Sequence, residues 1–293
     1  MGANTGMVTG TAGREVAMTR VGGRWRVTRP WPPLLRPFVH SYAGYWEAAV
    51  TPYRVRLVPT GRAVVVVNLG EPFTQVRRLG HDPSPNSQVT GSLVAGLEDG
   101  PRVCDHPGGQ EAIRLELTPL GAYRLFALPM SELTNRVVGL CDVLGPEAAV
   151  LAERLAATTD WGARFDLLDT ALSARIARGP DPAPEVSHAW QLLSRTGGAI
   201  AIGRIAAEVG WSQGHLVRRF TEQVGLTPKM SARVLRFHRA ARLLTREGVN
   251  LTEVTEICGF YDQAHLNREF RALAETTPGR MAVTRVTEGA LAL

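Results

Sequence analysis

Two stretches of the C-terminal third repeat one another, Ser212-Gln-Gly-His-Leu-Val-Arg-Arg-Phe220 and Asp262-Gln-Ala-His-Leu-Asn-Arg-Glu-Phe270. The repeat runs at an offset of 50 residues, and histidine, leucine, arginine and phenylalanine return in the same places. Just upstream, segments 205–210 and 254–259 match at an offset of 49, so the second copy is one residue longer between its two halves. A duplicated structural unit is therefore the first prediction for this chain.

Each copy has the pattern of a helix-turn-helix. In the first copy, a short amphipathic segment ends at Gly210, a residue that adopts the left-handed conformation without steric cost. Ser212 follows, and its hydroxyl group is suited to capping the next helix. The same features recur in the second copy, and the two units are predicted over about 203–224 and 251–274.

The second helix of each unit has a buried and an outward face. Leu216 and Phe220 stand four residues apart and should face the core, with His215 at the edge in a structural role. Arginine reads guanine and asparagine reads adenine in the DNA major groove, so a face of small and hydrogen-bonding residues suits entry there. The predicted outward faces carry Gly214, Val217, Arg218 and Thr221 in the first copy and Ala264, Asn267, Arg268 and Arg271 in the second.

A basic spacer helix is predicted between the copies, over 231–246. Its 16 residues would span about 24 Å, somewhat less than the ~34 Å of one DNA turn. The formal net charge of the chain is +6, and segment 204–246 holds nine basic residues against two acidic ones. Such a local excess favours a polyanionic partner.

The N-terminal part has a sequence pattern that is typical of β-strands. Short alternating or β-branched runs separated by Gly/Pro turns between 53 and 118 predict a small sandwich or barrel. The first 30 residues show no periodicity and are expected to form a loose arm, and the Pro-rich segment 179–185 is expected to be an extended linker. Helices are predicted over 120–127, 129–140, 146–157 and 161–178.

Length and composition agree with this division. At 293 residues, the chain is about twice as long as a typical domain of ~150 residues, so two domains are expected. No apolar run is long enough to span a membrane, and the N-terminus lacks the pattern of a secretion signal. The three cysteines are odd in number and widely spaced, which suits a reducing cytoplasm. The expected fold class is α+β, with a β-rich N-terminal domain followed by helices and an all-α C-terminal domain.

The last ~100 residues closely resemble the AraC/XylS family of bacterial transcription regulators. The resemblance is carried by Ile205-Ala206, Gly210-Trp-Ser212, Leu216-x-Arg218-x-Phe220, Gly225-x-Thr-Pro228, Arg236-Phe-x-x-Ala240-x-x-Leu243-Leu244, Gly259-Phe260, Phe270 and Thr277-Pro278. It implies a DNA-binding domain over 186–286, with two helix-turn-helix motifs on one linker helix. One departure is Glu275, where the family's second motif usually has glycine.

The resemblance also assigns candidate DNA contacts. In the family the first recognition helix usually reads bases, which carries over to Gln213, Gly214, Val217 and Arg218, although Gly214 offers no side chain. Arg219 is expected on phosphates, and the second copy contributes Gln263, Asn267, Arg268 and Arg271, the last also on phosphates.

The N-terminal half resembles the sensor half of actinobacterial members, particularly at 58–62, 94–97, 117–121 and 129–135. This implies a cupin-like sensor or dimerisation domain over 31–178. The implied partners are double-stranded DNA, a small-molecule effector, RNA polymerase and a second copy of the chain, in the cytoplasm. An effector pocket lined by Trp46, Tyr53, Phe73 and Tyr123 and a purely dimerising domain both stay open.

The alternative class is a cupin-like enzyme or a DNA-repair protein fused to the same DNA-binding domain. His106 with Asp105 and Glu111 is the best metal candidate in the barrel, but no His-x-His pair accompanies it. A repair enzyme needs a reactive cysteine cluster, which Cys104 and Cys141 do not make. A Gly-x-Ser-x-Gly motif is also absent from the sequence. We therefore expect no catalytic residue, no metal and no cofactor.

Overall fold

The computed structural model describes residues 5–9, 15–21, 24–47, 53–70, 75–78, 91–106, 108–244, 249–283, 286–287 and 290–292. A sheet-rich N-terminal half is followed by a helical C-terminal region, which confirms the predicted α+β class. Among the described helices, none is long and apolar enough to cross a membrane.

The described strands form two antiparallel sheets, and all but the last two strands belong to the N-terminal half. The strands are β1 (Thr5–Thr9), β2 (Glu15–Val21), β3 (Arg24–Thr28), β4 (Val39–Glu47), β5 (Tyr53–Leu57), β6 (Ala63–Asn68), β7 (Gln75–Arg78), β8 (Leu93–Ala95), β9 (Arg102–His106), β10 (Glu111–Leu117), β11 (Val137–Gly139), β12 (Val286–Thr287) and β13 (Ala290–Ala292). The larger sheet has the strand order β1-β2-β3-β4-β10-β6-β8-β11, and the smaller has the order β12-β13-β5-β9-β7.

The described α-helices lie between β10 and β12, and the short strand β11 interrupts them. Short 3-10 turns occur at Pro33–Leu35 and Met130–Glu132. The α-helices are α1 (Pro119–Phe126), α2 (Leu140–Leu144), α3 (Glu147–Ala157), α4 (Trp161–Arg178), α5 (Pro184–Arg195), α6 (Ile202–Glu208), α7 (Gln213–Val224), α8 (Pro228–Leu244), α9 (Leu251–Ile257), α10 (Gln263–Ala274) and α11 (Pro278–Val283).

Two predictions for the N-terminal half need correction. The described residues within 1–30 form β1, β2 and β3, which pair in sequence onto β4, so a loose arm is wrong for them. The helix predicted over 129–140 is also wrong, because its backbone joins the larger sheet instead. Asn135 has a left-handed φ of 60° and donates its N–H to the Leu97 carbonyl, and β11 then pairs with β8.

The core is continuous across the predicted domain boundary. Ile113, Leu115 and Leu117 alternate along β10 and are buried, and helices from both halves of the chain belong to the same hydrophobic cluster. The Pro-rich segment has no regular structure over 179–183, but the linker predicted over 179–185 is wrong at its last two residues, because α5 begins at Pro184. The segment also lies against the C-terminal region. The Ala183 N–H donates to Oε1 of buried Gln223 at 2.9 Å. The linker therefore divides the sequence without dividing the core.

A buried ion pair fixes α4 to the larger sheet. The Arg29 side chain has no exposed surface, and its Nη2 lies 2.5 Å from Oδ2 of Asp169. The Tyr42 hydroxyl donates to the other oxygen of Asp169 at 2.8 Å, and burial raises the pKa of Tyr42. Arg29 also lies 2.8 Å from Asp166, whose side chain is 42% exposed.

Asp169→Ala is expected to lower the free energy of unfolding by about 3–5 kcal/mol, because it leaves the Arg29 guanidinium buried beside an unsatisfied Tyr42 hydroxyl. Urea denaturation of the full chain measures this change. Asp166→Ala is the matched control and should cost about 0–1 kcal/mol, since that carboxylate is partly in water. Equal losses in the two variants would contradict the assigned burial.

Candidate nucleic-acid interface

The first helix-turn-helix unit consists of α6 and α7. Gly210 ends the first helix with a φ of +70°, where any other residue would be strained. Ser212 then caps α7, since its Oγ accepts the His215 N–H at 3.3 Å. Leu216 and Phe220 are completely buried, which confirms the predicted inner face of the helix.

The second unit, α9 and α10, repeats this construction. Gly259 has a φ of +71°, and Asp262 caps α10 by accepting the His265 N–H at 2.6 Å. Leu266 and Phe270 are buried, as their counterparts are in the first copy. The same local signals therefore produce the same structure twice.

Each unit holds its histidine against an aromatic ring. His215 lies edge-on to Trp211 with ring centroids 4.5 Å apart, and His265 lies edge-on to Phe260 at 5.4 Å. Both imidazoles pack within their own turn, as a structural role requires.

The predicted DNA-binding residues lie on the outer surface of the two recognition helices. Arg219 and Asn267 are half-buried, and the remaining seven are exposed. Gly214 has open space around it, with no atom within 4 Å of where a Cβ would stand. The exposed members are Gln213, Gly214, Val217, Arg218, Gln263, Arg268 and Arg271.

Several of these side chains have partners within their own unit. Arg219 pairs with Glu222 at 2.7 Å, and Arg218 lies 3.4 Å from Nδ1 of His215. In the second unit the Asn267 amide donates to the Gln263 carbonyl at 2.9 Å, so that amide must turn outward to reach an adenine edge. Contacts of this exposed kind are weak and can be exchanged for contacts to a ligand.

Helix α8 connects the two units and fixes the second one. Phe237 and Phe270 meet edge-to-face with centroids 4.9 Å apart. Beside them, Nε and Nη2 of Arg233 donate to the two carboxylate oxygens of Glu269 at 2.9 and 3.0 Å. Sequence analysis missed this bidentate pair, because the two residues lie 36 positions apart on different helices.

Charge is distributed unevenly over the surface. Helix α8 carries five basic residues and no acidic one, and the first unit has three arginines against two acidic residues. The second unit has two arginines against four acidic residues, so its net charge is negative. The excess of basic charge therefore lies on the first unit and α8.

The barrel residues considered for metal or effector binding are engaged in separate contacts. Asp105 pairs with Arg54, Glu111 pairs with Arg164, and His106 lies 3.0 Å from the amide oxygen of Gln110. Among the described residues, no group of three or more His, Cys, Asp or Glu side chains could hold a metal ion.

The aromatic residues considered for an effector pocket also lie in different surroundings. Tyr53 stacks on His106 and donates its hydroxyl to Glu47 at 2.7 Å, while Tyr123 packs against the main core. Trp46 is 45% exposed, and Phe73 lies outside the described residues. Burial raises the pKa of the Cys104 thiol to about 12, which keeps that sulfur protonated and unreactive.

Two family profiles match this chain. Residues 205–282 match a family described as helix-turn-helix domain, and residues 28–139 match a domain of unknown function, DUF6597.

One relative, the uncharacterized HTH-type transcriptional regulator YbfI of Bacillus subtilis (strain 168), is 32% identical over 88 residues, covering 30% of this chain and 32% of YbfI. The HTH-type transcriptional regulator MtrA of Neisseria gonorrhoeae is 30% identical over 79 residues, covering 27% and 26%. The chain thus spans about a third or less of the length of these curated relatives.

Similar solved structures include ToxT from Vibrio cholerae with an unsaturated fatty acid bound. That similarity has a TM-score of 0.46 at 9% identity and covers 83% of this chain and 95% of ToxT. The C-terminal domain of AraT, a response regulator from Geobacillus stearothermophilus, has a TM-score of 0.34 at 20% identity, with 37% of this chain and 93% of that domain covered.

Glu269→Gln is expected to lower the free energy of unfolding by about 1–2 kcal/mol, because the charged, half-buried Arg233 loses its bidentate partner. Chemical denaturation of the full chain measures this loss. The control is Glu222→Gln, which removes a more exposed pair within one helix and should cost less than about 0.5 kcal/mol. A Glu269 variant as stable as the control would show that Arg233 does not hold α10.

Proposed function

We propose that this chain, whose residues 205–282 form an AraC-type helix-turn-helix domain, is a sequence-specific DNA-binding transcription regulator. The observation that carries the proposal is the pair of capped, outward-facing recognition helices on one basic helix, α8. The two relatives named as transcriptional regulators support it by their similarity to part of this chain. Such a protein acts where the chromosome is, in the bacterial cytoplasm.

Base reading is assigned to the exposed residues of α7 and α10. Arg218 and Arg268 each project from the middle of a recognition helix, where a guanidinium group can donate to two acceptors of guanine. Asn267 suits adenine, and Arg219 and Arg271 suit phosphates. The remaining contacts proposed at base edges are Gln213, Gly214, Val217 and Gln263.

We assign a regulatory role to the N-terminal half, because it contacts each part of the DNA-binding region. At the end of α7, the Thr134 hydroxyl donates to the Gly225 carbonyl at 2.7 Å. Gly225 has a φ of +101°, and a Cβ there would lie 3.2 Å from the Met130 carbonyl. The first recognition helix thus ends directly against the 3-10 turn at Met130–Glu132.

Helix α8 also packs on the barrel. Leu235 and Val234 lie against Gly61 at the turn before β6. Next to this contact, burial and the positive charges of Arg62 and Arg242 together lower the pKa of His238 to about 4. His238 is therefore neutral at physiological pH, in a setting that disfavours an additional positive charge.

The second unit is held through β5. Nη1 of Arg56 donates to the carbonyls of Ala274 and Glu275, at 3.2 and 3.3 Å, where α10 ends. Glu275, which replaces the family's usual glycine, is in the left-handed region with a φ of 48°, and its carboxylate lies 4.0 Å from Arg56. Strand β13 then pairs with β5, with Leu291 opposite Arg56.

These three contacts give the N-terminal half a physical route to the recognition helices. A small molecule that changed the barrel would alter DNA affinity only if it bound the two docked arrangements differently. A small-molecule effector, a second copy of the chain and RNA polymerase are included in the proposal as partners on the family resemblance alone.

Arg218→Ala and Arg268→Ala should each weaken binding to a selected duplex by about 1–3 kcal/mol and relax the preference at one base pair. Selection from random duplexes with the full chain, followed by titration, measures both effects. Arg271→Ala should weaken all sequences about equally and reduce the salt slope by about 1. Failure of the wild-type chain to select any sequence would refute the proposed function.

Arg56→Ala should strengthen DNA binding of the full chain about fivefold, a coupling of about 1 kcal/mol, because it frees the second unit to meet its own groove segment. Glu275→Gly should act in the same direction while relieving the left-handed strain. Titration of the selected duplex measures both. Arg54→Ala is the matched control, since it removes the same charge from the same strand. Arg54 pairs with Asp105 and not with the end of α10. If both test variants bound DNA with unchanged affinity, the contact between Arg56 and the end of α10 would not influence DNA binding, and the proposed coupling would be refuted.

A further inference from the structure

We propose that Tyr261 is an uncharged contact to the DNA sugar–phosphate backbone, through which the second helix-turn-helix unit docks. The inference rests on the proposed function and adds a residue that neither repeat periodicity nor the family resemblance assigns.

Tyr261 is the extra residue of the second copy. Its side chain is 93% exposed, the highest value among the exposed large hydrophobic residues in the described part of the chain. The neighbouring Phe260 takes the place that Trp211 has in the first copy, since each packs on the histidine of its own unit. The phenol ring of the inserted tyrosine is therefore not packed into the turn.

The turn that presents Tyr261 is well held. The Phe260 N–H donates to the Thr255 carbonyl at 2.9 Å, and the Tyr261 N–H points to Nδ1 of His265 at 3.4 Å. Asp262 then caps α10. A ring that projects from such a turn is already positioned, and tyrosine has few rotatable bonds to immobilise on binding.

The position of the ring just before α10 favours a contact with the sugar–phosphate backbone. When the N-terminal part of a recognition helix enters the major groove, the residues just before it lie along the edge of the groove. Tyrosine is among the side chains that donate hydrogen bonds to phosphate oxygens.

The charge of the second unit explains why a neutral donor would be used there. Four acidic residues outnumber two arginines in this unit, and Asp262 stands directly beside Tyr261. Carboxylates oppose the approach of phosphates, so the second unit gains less from counterion release than the first. A phenol hydroxyl binds phosphate without a formal charge of its own.

The test uses the full chain with Tyr261→Phe and Tyr261→Ala on the duplex that the wild type selects. We expect both variants to bind about three- to tenfold more weakly, because each lacks the donated hydrogen bond. The dependence of log affinity on log salt should stay unchanged, since no charge is lost, whereas Arg271→Ala lowers that slope by about 1. Val150→Ala, which truncates an exposed side chain on α3, is the control and should bind like the wild type.

A second duplex locates the contact. This duplex contains only the base pairs at which Arg218→Ala relaxes the sequence preference, that is, the segment bound by the first unit. Both tyrosine variants should bind it with the same affinity as the wild type. Equal losses on the two duplexes would place Tyr261 away from the second unit's docking surface and overturn the proposal. Wild-type binding by Tyr261→Phe would assign the contact to the ring instead of the hydroxyl group, which also overturns it. If the wild type selects no sequence at all, the proposed function fails first.

Discussion

The burial of helix α8 on two sides is the constraint on which the rest of the structure depends. One side packs against α10 through Phe237 and Phe270, and the other meets the barrel at Gly61. Because apolar cores are close-packed, a shift of α8 would displace the side chains that pack against it on both sides. The two recognition helices and the barrel therefore share one core, although a proline-rich segment lies between them in the sequence.

This arrangement makes the N-terminal half a support for the two units that are proposed to bind DNA. The ends of both recognition helices are held by residues of the N-terminal half, Thr134 at the first and Arg56 at the second. The outward faces stay exposed, so docking does not cover the surface proposed for DNA. What the docking restricts is the orientation of one unit relative to the other. An isolated C-terminal domain would lose these contacts and is not an equivalent of the full chain.

Much of the C-terminal architecture could be predicted because its signals are local. Left-handed glycines, capping side chains and apolar residues four apart act within one or two turns, and they recur in the second copy. Predictions failed where distant backbone decided the outcome. Segment 129–140 is predicted as a helix, yet its N–H and C=O groups bond to residues 96–97 and to β8. Helix propensity is a weak prior, and sheet pairing of this kind overrides it.

The sequence by itself determined the duplicated helix-turn-helix, the exposed recognition faces and the basic spacer, since periodicity and caps encode them directly. Only the tertiary structure decided what surrounds them. It placed Arg233 on Glu269, Arg56 at the end of α10, and Glu275 in a left-handed cap that faces another domain. These contacts join residues 36 to 219 positions apart. No local pattern specifies such pairs, because they depend on how separately formed elements pack to bury their apolar faces.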